Sequence, residues 1–240
     1  MKLKGLLMKK LIYFVMFLLG PLFLGPVYGQ QAGINLSLAF PQGEFGDEVD
    51  NIGYGLSGEF MFLSPKPVSP FGLGLNLGFY TYGNESRREA MWNIPDVGLQ
   101  VDRSNNLVNF HLIFELGLPK GPIRPYVQGL FGGEYLYTTT SVKNENNQEE
   151  FAGSTNYDDW AWSYGVGGGF LVFLGGDPVT DIGAIYLDIK GRYLFGSEAE
   201  YLKEGSVEVN GQSVTYHPSR SKTDMMTIHV GIRAALNFAP

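Results

Sequence analysis

The chain has 240 residues, no cysteine, and 24 acidic against 17 basic side chains, for a formal net charge of −7. That length suits one domain, the missing cysteines exclude disulfides, and the acidic balance argues against nucleic acid or anionic headgroups as partners. Thirty-three glycines and no long helical periodicity favour an all-β chain with many turns.

Residues 1–29 read as a signal peptide to be cleaved. Lys2, Lys4, Lys9 and Lys10 form a basic n-region, 11–24 is an apolar run, and Val27-Tyr28-Gly29 leads to a cut before Gln30. Met8 begins an equally good, shorter leader. The rival is an uncleaved anchor, but Gly20, Pro21, Gly25 and Pro26 interrupt a run already short of the ~20 apolar residues a span needs. Losing the four leader lysines would take the net charge from −7 to −11. No cysteine follows the leader, so it is not of the lipoprotein kind.

Residues 30–240 form one domain of eight alternating segments. In 33–41, Ile34, Leu36, Leu38 and Phe40 oppose Asn35, Ser37 and Ala39, and an acidic loop, 42–51, follows. In 53–63, Tyr54, Leu56, Phe60 and Phe62 oppose Ser57, Glu59 and Met61, before a short proline-stiffened connection at 64–70. In 71–82, Phe71, Leu73, Leu75, Leu77 and Phe79 oppose glycines, Asn76 and Tyr80; a long polar loop, 83–106, comes next. In 107–118, Val108, Phe110, Leu112, Phe114 and Leu116 oppose Asn109, His111, Ile113 and Glu115, with a short turn after them. In 125–137, Val127, Phe131, Tyr135 and Tyr137 oppose Gln128, Gly132 and Glu134, and a second long loop spans 138–159. In 160–174, Trp162, Tyr164, Val166, Phe170 and Val172 oppose Ser163, Gly165, Gly167 and Gly169, ahead of a short turn. In 184–195, Ile185, Leu187, Ile189, Tyr193 and Phe195 oppose Asp188, Lys190 and Arg192, and a long acidic loop, 196–222, follows. The last segment, 223–238, sets Ile228, Val230, Ile232, Leu236 and Phe238 against Thr227, His229, Gly231, Arg233 and Asn237.

Strands put alternate side chains on opposite faces, so each segment has one apolar face. Short and long connections alternate, which in an up-and-down meander puts every long loop at one end. Transmembrane barrels share that asymmetry, and strands of about 9–13 residues cross a bilayer when tilted. The expected fold is therefore an eight-stranded antiparallel up-and-down transmembrane β-barrel. Its lumen would hold a charge network of Glu59, Glu115, Glu134, Asp188, Lys190, Arg192 and Arg233. Counting from strand ends puts Asp188 and Arg233 at one low height and Arg192 and Glu134 higher. Tyr54, Tyr80, Tyr82, Tyr135, Tyr137, Trp160, Trp162, Tyr164, Tyr193 and Phe195 would form aromatic girdles.

With these features the chain resembles the outer-membrane β-barrel domain family of Gram-negative bacteria, which includes the OmpA-type transmembrane domain. Phe40-Pro41 ahead of an acidic Phe45-Gly46-Asp47 loop carries the resemblance, as do Leu187-Asp188 through Arg192-Tyr193-Leu194 and the final strand ending at Phe238. One departure is that Ala239 and Pro240 follow Phe238, where the family's assembly signal ends in an aromatic. The resemblance implies a monomer in the cell outer membrane, surrounded by lipid and inserted by the barrel assembly machinery. It also implies a structural role, or one in which loops meet an extracellular or envelope partner, without enzymatic activity or cofactor.

Three rivals follow from the same residues. A narrow gated, porin-like pore would switch the lumen ion pairs. A lipid-modifying hydrolase would use His217 and Ser219, spaced as in lipid A deacylases, with Glu208 or Asp224 orienting the histidine. A soluble, lipocalin-like periplasmic binder would turn the apolar rows inward. No metal set is expected: His111 and His229 face inward without a third ligand, and the loop carboxylates lack EF-hand spacing.

Overall fold

The computed structural model describes residues 30–49, 51–91, 94–144, 150–177, 183–203, 205–210 and 213–236. The expected leader and the terminal Phe238 lie outside the described residues. In chain order the elements are β1 (Gln30–Pro41), α1 (Gly43–Glu48), β2 (Gly53–Leu63), β3 (Phe71–Met91), β4 (Ile94–Gly117), β5 (Ile123–Asn144) and β6 (Glu150–Gly175). Then come β7 (Ile185–Gly196), β8 (Glu198–Tyr201), β9 (Val207–Asn210), β10 (Ser213–Tyr216), β11 (Ser219–Lys222) and β12 (Met225–Leu236). Eight strands close into an antiparallel barrel in the order β1-β12-β7-β6-β5-β4-β3-β2, and β2 pairs back onto β1. Closure leaves no sheet edge through the apolar zone, so the ladder pairs its own backbone groups.

The alternation read from the sequence sorts side chains between the two faces, and the apolar face is outside. On β1, Ile34 and Leu36 are 63% and 70% exposed, while Asn35 and Ser37 beside them are buried. Phe71, Phe79, Phe114, Val127, Phe131, Val166, Phe170 and Val230 continue the outward belt around the wall. Inside, Glu59, Glu115, Asp188, Lys190, Arg192 and Arg233 are buried. A water-soluble barrel distributes these residues the other way round.

Strand lengths depart from expectation. β3 to β6 run 21–26 residues each, whereas β1, β2, β7 and β12 run 11–12. The stretches expected as long loops at 83–106 and 138–159 are largely strand, and pairing continues to Met91↔Ile94 and Lys143↔Glu150. The four long strands are neighbours, so they rise as a wall on one side of the mouth. The low side is covered by α1 and the β8–β11 ladder. The acidic loop expected at 42–51 thus contains a short helix, because Phe45 has apolar company: its ring meets Tyr82 at 5.6 Å and Tyr201 at 5.0 Å.

The expected girdle is also corrected. Tyr54, Trp160, Trp162, Tyr164 and Phe195 are exposed near the long-loop end, but Tyr80 and Tyr82 are buried inside. Tyr80 shares parity with Asn76 and Gly78, which points it into the lumen.

Inward glycines on β6 make room for long cations on β7. A Cβ on Gly167 would lie 2.6 Å from Arg192 Cγ, and one on Gly169 would lie 2.6 Å from Lys190 Cβ. Gly167→Val is expected to destabilise the barrel by about 1–3 kcal/mol through overpacking. Gly129→Ala, at a position with nothing within 4 Å of the added carbon, is expected to stay within about 0.5 kcal/mol. Urea midpoints in phospholipid vesicles, read from the gel mobility of folded and unfolded forms, check both.

Candidate functional site

The lumen is built in layers from inward positions two residues apart. On β7 these are Tyr186, Asp188, Lys190, Arg192 and Leu194, all buried. Near the short-turn end Tyr126, Leu171, Ala184, Tyr186 and Ala235 form an apolar floor. Near the mouth Phe45, Tyr80, Tyr82, Leu107, Leu136, Leu194, Tyr201 and Met225 belong to an apolar plug. The charges lie between.

Arg233 is the hub. Its Nη1 donates to Glu115 Oε1 and Oε2 at 3.1 and 3.0 Å, and its Nη2 to Glu59 Oε2 at 3.1 Å and Asp188 Oδ2 at 3.0 Å. Its guanidinium also lies 4.9 Å from the Tyr126 ring centroid, and the Tyr126 hydroxyl donates to Asp188. Lys190 Nζ meets Glu59 Oε1 at 2.6 Å and Asp188 Oδ2 at 2.8 Å. Arg192 Nη2 reaches Glu59 Oε1 at 2.6 Å and Gln128 Oε1 at 2.7 Å, and Gln128 Nε2 donates to Glu115 Oε2 at 2.8 Å. Three cations and three anions thus share one neutral layer, where each charge is both paired and hydrogen-bonded.

Of the seven residues expected to share a network, the structure brings six together. Glu134 is separate: it is fully buried, and Ser163 Oγ donates to its Oε1 at 2.7 Å. The expectation that Arg192, like Glu134, lies at the higher level holds only for its main chain. The Arg192 backbone is high, paired with Thr227 and Gly167, but its long side chain reaches down to Glu59. Gln128, Tyr126 and Asn35 join the network without having been singled out by the sequence. Their inward parity is the available signal, yet a neutral side chain does not announce that it will bridge ions.

The candidate histidine and serine both meet other groups. His217 is exposed and its backbone N–H donates to Ser206 O at 2.8 Å, while Ser219 Oγ donates to Glu48 Oε2 at 3.1 Å. Asp224 Oδ1 accepts the Gly196 N–H at 3.0 Å, and the Glu208 side chain lies outside the described residues. A serine–histidine contact does occur elsewhere: Ser37 Oγ is 2.7 Å from His229 Nδ1, with Thr227 Oγ1 2.8 Å from Nε2. That pair is buried in the lumen, and the group on the far nitrogen is a hydroxyl, not the carboxylate a catalytic triad uses. His111 is buried on β4. Among the described residues no three His, Cys, Asp or Glu side chains are grouped to hold a metal ion.

The mouth is fastened by polar contacts. Gln42 N–H donates to Asp224 O at 2.8 Å and Lys222 N–H to Glu44 Oε2 at 3.1 Å. Glu200 N–H donates to Asp159 Oδ2 at 2.8 Å, so the β8–β11 ladder is tied to the wall as well. Lys203 and Ser219 both hydrogen-bond Glu48 and hold its carboxyl below the usual carboxylate value.

No protein-family model matches the chain, and no curated protein matches it in sequence. Solved structures are similar in outline. Neisserial surface protein A is 11% identical, with a TM-score of 0.37 over 87% of this chain and 96% of its own. Ail, the attachment invasion locus protein of Yersinia pestis, is 11% identical with a TM-score of 0.37 over 87% and 97%. A major outer membrane protein from Thermus thermophilus is 14% identical, with a TM-score of 0.33 over 85% and 99%.

Removing the hub strands three buried anions with two cations. Arg233→Met is expected to destabilise the folded barrel by about 3–5 kcal/mol. Glu134→Gln, which keeps an acceptor for Ser163, is expected to change stability by no more than about 1 kcal/mol. Equilibrium urea unfolding of the two variants in vesicles makes the comparison.

Proposed function

We propose that the protein is an integral outer-membrane β-barrel without enzymatic activity, exported through a cleaved leader, whose role is structural or carried by the surface above its mouth. The observation that supports this best is the outward apolar belt on a closed barrel. Exposed apolar patches beyond a few hundred Å² mark an interaction surface, and a belt on every strand of a ring fits lipid rather than a single partner. Exposed tyrosine, tryptophan and phenylalanine at the belt's upper edge suit the boundary between lipid and water. The short-turn end then faces the periplasm, and β3 to β6 extend beyond the bilayer. An OmpA-type transmembrane domain accords with eight strands and one trimmed end. Outer-membrane lipid covers the belt, and the barrel assembly machinery inserts the chain as a monomer.

The same reading treats the ionic layer as structural filling. The floor, the ion pairs and the aromatic plug occupy successive levels of the lumen, which disfavours a pore. The exposed belt disfavours a soluble binder.

Fractionation tests the location. The protein is expected to stay with membranes through alkaline carbonate washing and to need detergent for release; recovery in the periplasmic fraction without detergent overturns the proposal. Planar-bilayer recording tests the seal. Neither wild type nor Arg192→Glu is expected to give steady unit conductance. Discrete steps altered by the charge reversal would favour the gated pore.

A further inference from the structure

On the outer wall a groove of about 560 Å³ crosses β12, β1, β2 and β3 in the upper part of the belt. Two rows of side chains flank it. Register places Ile228, Leu38, Tyr54 and Thr81 in one row across the four strands, and Val230, Leu36, Leu56 and Phe79 in the other. The floor between the rows is backbone at the Ser37↔Gly55 pair, because Ser37 is turned into the lumen and Gly55 has no side chain. Barrel strands tilt by about 35–45°, so a groove perpendicular to them climbs obliquely through the belt.

A second recess, of about 230 Å³, adjoins the groove on the mouth side, and Tyr54 and Thr81 line both. It forms because the β2–β3 pairing ends at Tyr54↔Thr81, while β3 continues upward with β4 past a register slip between Thr81 and Gly83. The side chains lining this recess are uncharged. We infer that groove and recess together hold one ester-linked lipid without net negative charge, its acyl chain between the two rows and an ester carbonyl on the Tyr54 hydroxyl. The inference rests on the proposed membrane location, which supplies the lipid.

Lipid tails are as apolar as this wall, so burial alone gives no preference for one place on it. The rows add close packing on both sides of a chain, and the recess adds a polar anchor at the height where tails end. That anchor is held in place. Asn84 Nδ2 donates to the Tyr54 hydroxyl at 2.9 Å, and Ser104 Oγ donates to Asn84 Oδ1 at 2.8 Å. A phenol is donor and acceptor at once, so Tyr54 accepts from Asn84 and keeps its own proton for a carbonyl. Tyrosine at a membrane boundary commonly has this position, with its ring in the apolar layer and its hydroxyl in the wet one. Head charge follows from the neighbourhood. Asp47 and Glu48 line the cleft next to the recess, and the one lysine there, Lys203, is bonded to Glu48. An anionic head meets two carboxylates without a cation to answer it; a zwitterionic head with an amine meets the opposite sign.

Native mass spectrometry of the full mature barrel, released from micelles of tetraethylene glycol monooctyl ether, tests the site with added lipids. One dioleoyl phosphatidylethanolamine is expected to bind about fivefold more tightly than those that follow, the worth of one ordinary hydrogen bond. Dioleoyl phosphatidylglycerol and lipid A, both anionic, are expected to bind more weakly. Leu56→Trp, which fills the groove, is expected to weaken the first adduct about tenfold, as overfilling an apolar site does. Val127→Trp, outward on β5 across the ring, is expected to leave it unchanged. Tyr54→Phe is expected to weaken it about fivefold, and replacing the ester lipid by its diether analogue is expected to weaken binding to wild type but not to Tyr54→Phe. Retained heat-modifiable gel mobility shows that the variants are folded. Adducts that form one statistical series, equal or tighter binding of either anionic lipid, equal weakening by Val127→Trp, or an ether effect that persists without the Tyr54 hydroxyl overturns the inference. Binding is measured on purified protein, so its failure is distinct from recovery in the periplasmic fraction, which overturns the membrane location instead.

Discussion

Arg233 and Glu59 meet in the middle of a closed ring, and much of the barrel is arranged around keeping that meeting dry. Taking a charge out of water costs several kcal/mol even after relaxation, and a single partner rarely restores it. Here the compensation comes from density. Glu59 faces Lys190, Arg192 and Arg233, while Arg233 faces Glu59, Glu115 and Asp188. Gln128 links Arg192 to Glu115, Tyr126 caps Asp188, and Asn35 Oδ1 lies 3.5 Å from Lys190 Nζ. The layer therefore ties β2, β4, β5, β7 and β12 together through side chains as well as through the ladder. It joins strands that are not neighbours in the ring, such as β2 with β7 and β12, which ladder hydrogen bonds cannot do.

One parity rule creates both this layer and the belt. A slip of one residue in any strand would turn its charges into lipid and its apolar row into the lumen. The two faces thus specify register against each other, and the glycines of β6 set how close β7 can bring its cations. Above the belt the rule lapses. There the hairpins are held by polar cross-strand pairs, such as Ser104 to Asn84 and Ser86 to Asp102, both at 2.8 Å, and Arg103 to Glu85 at 3.2 Å.

That change of solvent explains what can be read from the sequence. Where one face meets lipid and the other a packed lumen, alternation is strong, and the eight segments and six of the seven charges are legible. Where both faces of a hairpin meet water, alternation vanishes although backbone pairing continues, so 83–106 looks like loop. Phe45 is the opposite case: with Val49 its apolar companion in an acidic stretch too short to show sustained periodicity, its burial depends on Tyr82 and Tyr201 arriving from distant strands. Tyr80 and Tyr82 mislead because an aromatic near a strand end suggests a girdle, while parity and the β3 bulge decide where its ring goes. Arg192 departs for a simpler reason, since its side chain is long enough to leave the level of its own backbone.

The layered lumen also limits where activity can lie. A catalytic serine–histidine pair inside it, such as Ser37 and His229, has no room for a lipid or a glycan to enter past Phe45, Tyr80 and Tyr82. Ion pairs as densely shared as those of Glu59 cannot open one at a time, because each cation that leaves exposes an anion still bonded to two others. A switch there would have to move the whole layer against a backbone fixed by closure. The mouth is under no such restriction. Its polar side chains, such as Glu48 with Lys203 and Ser219, are only part-buried, and its two halves, the tall wall and the low helical side, come from different parts of the chain. Rigid below, the barrel keeps its more adaptable polar contacts above the mouth.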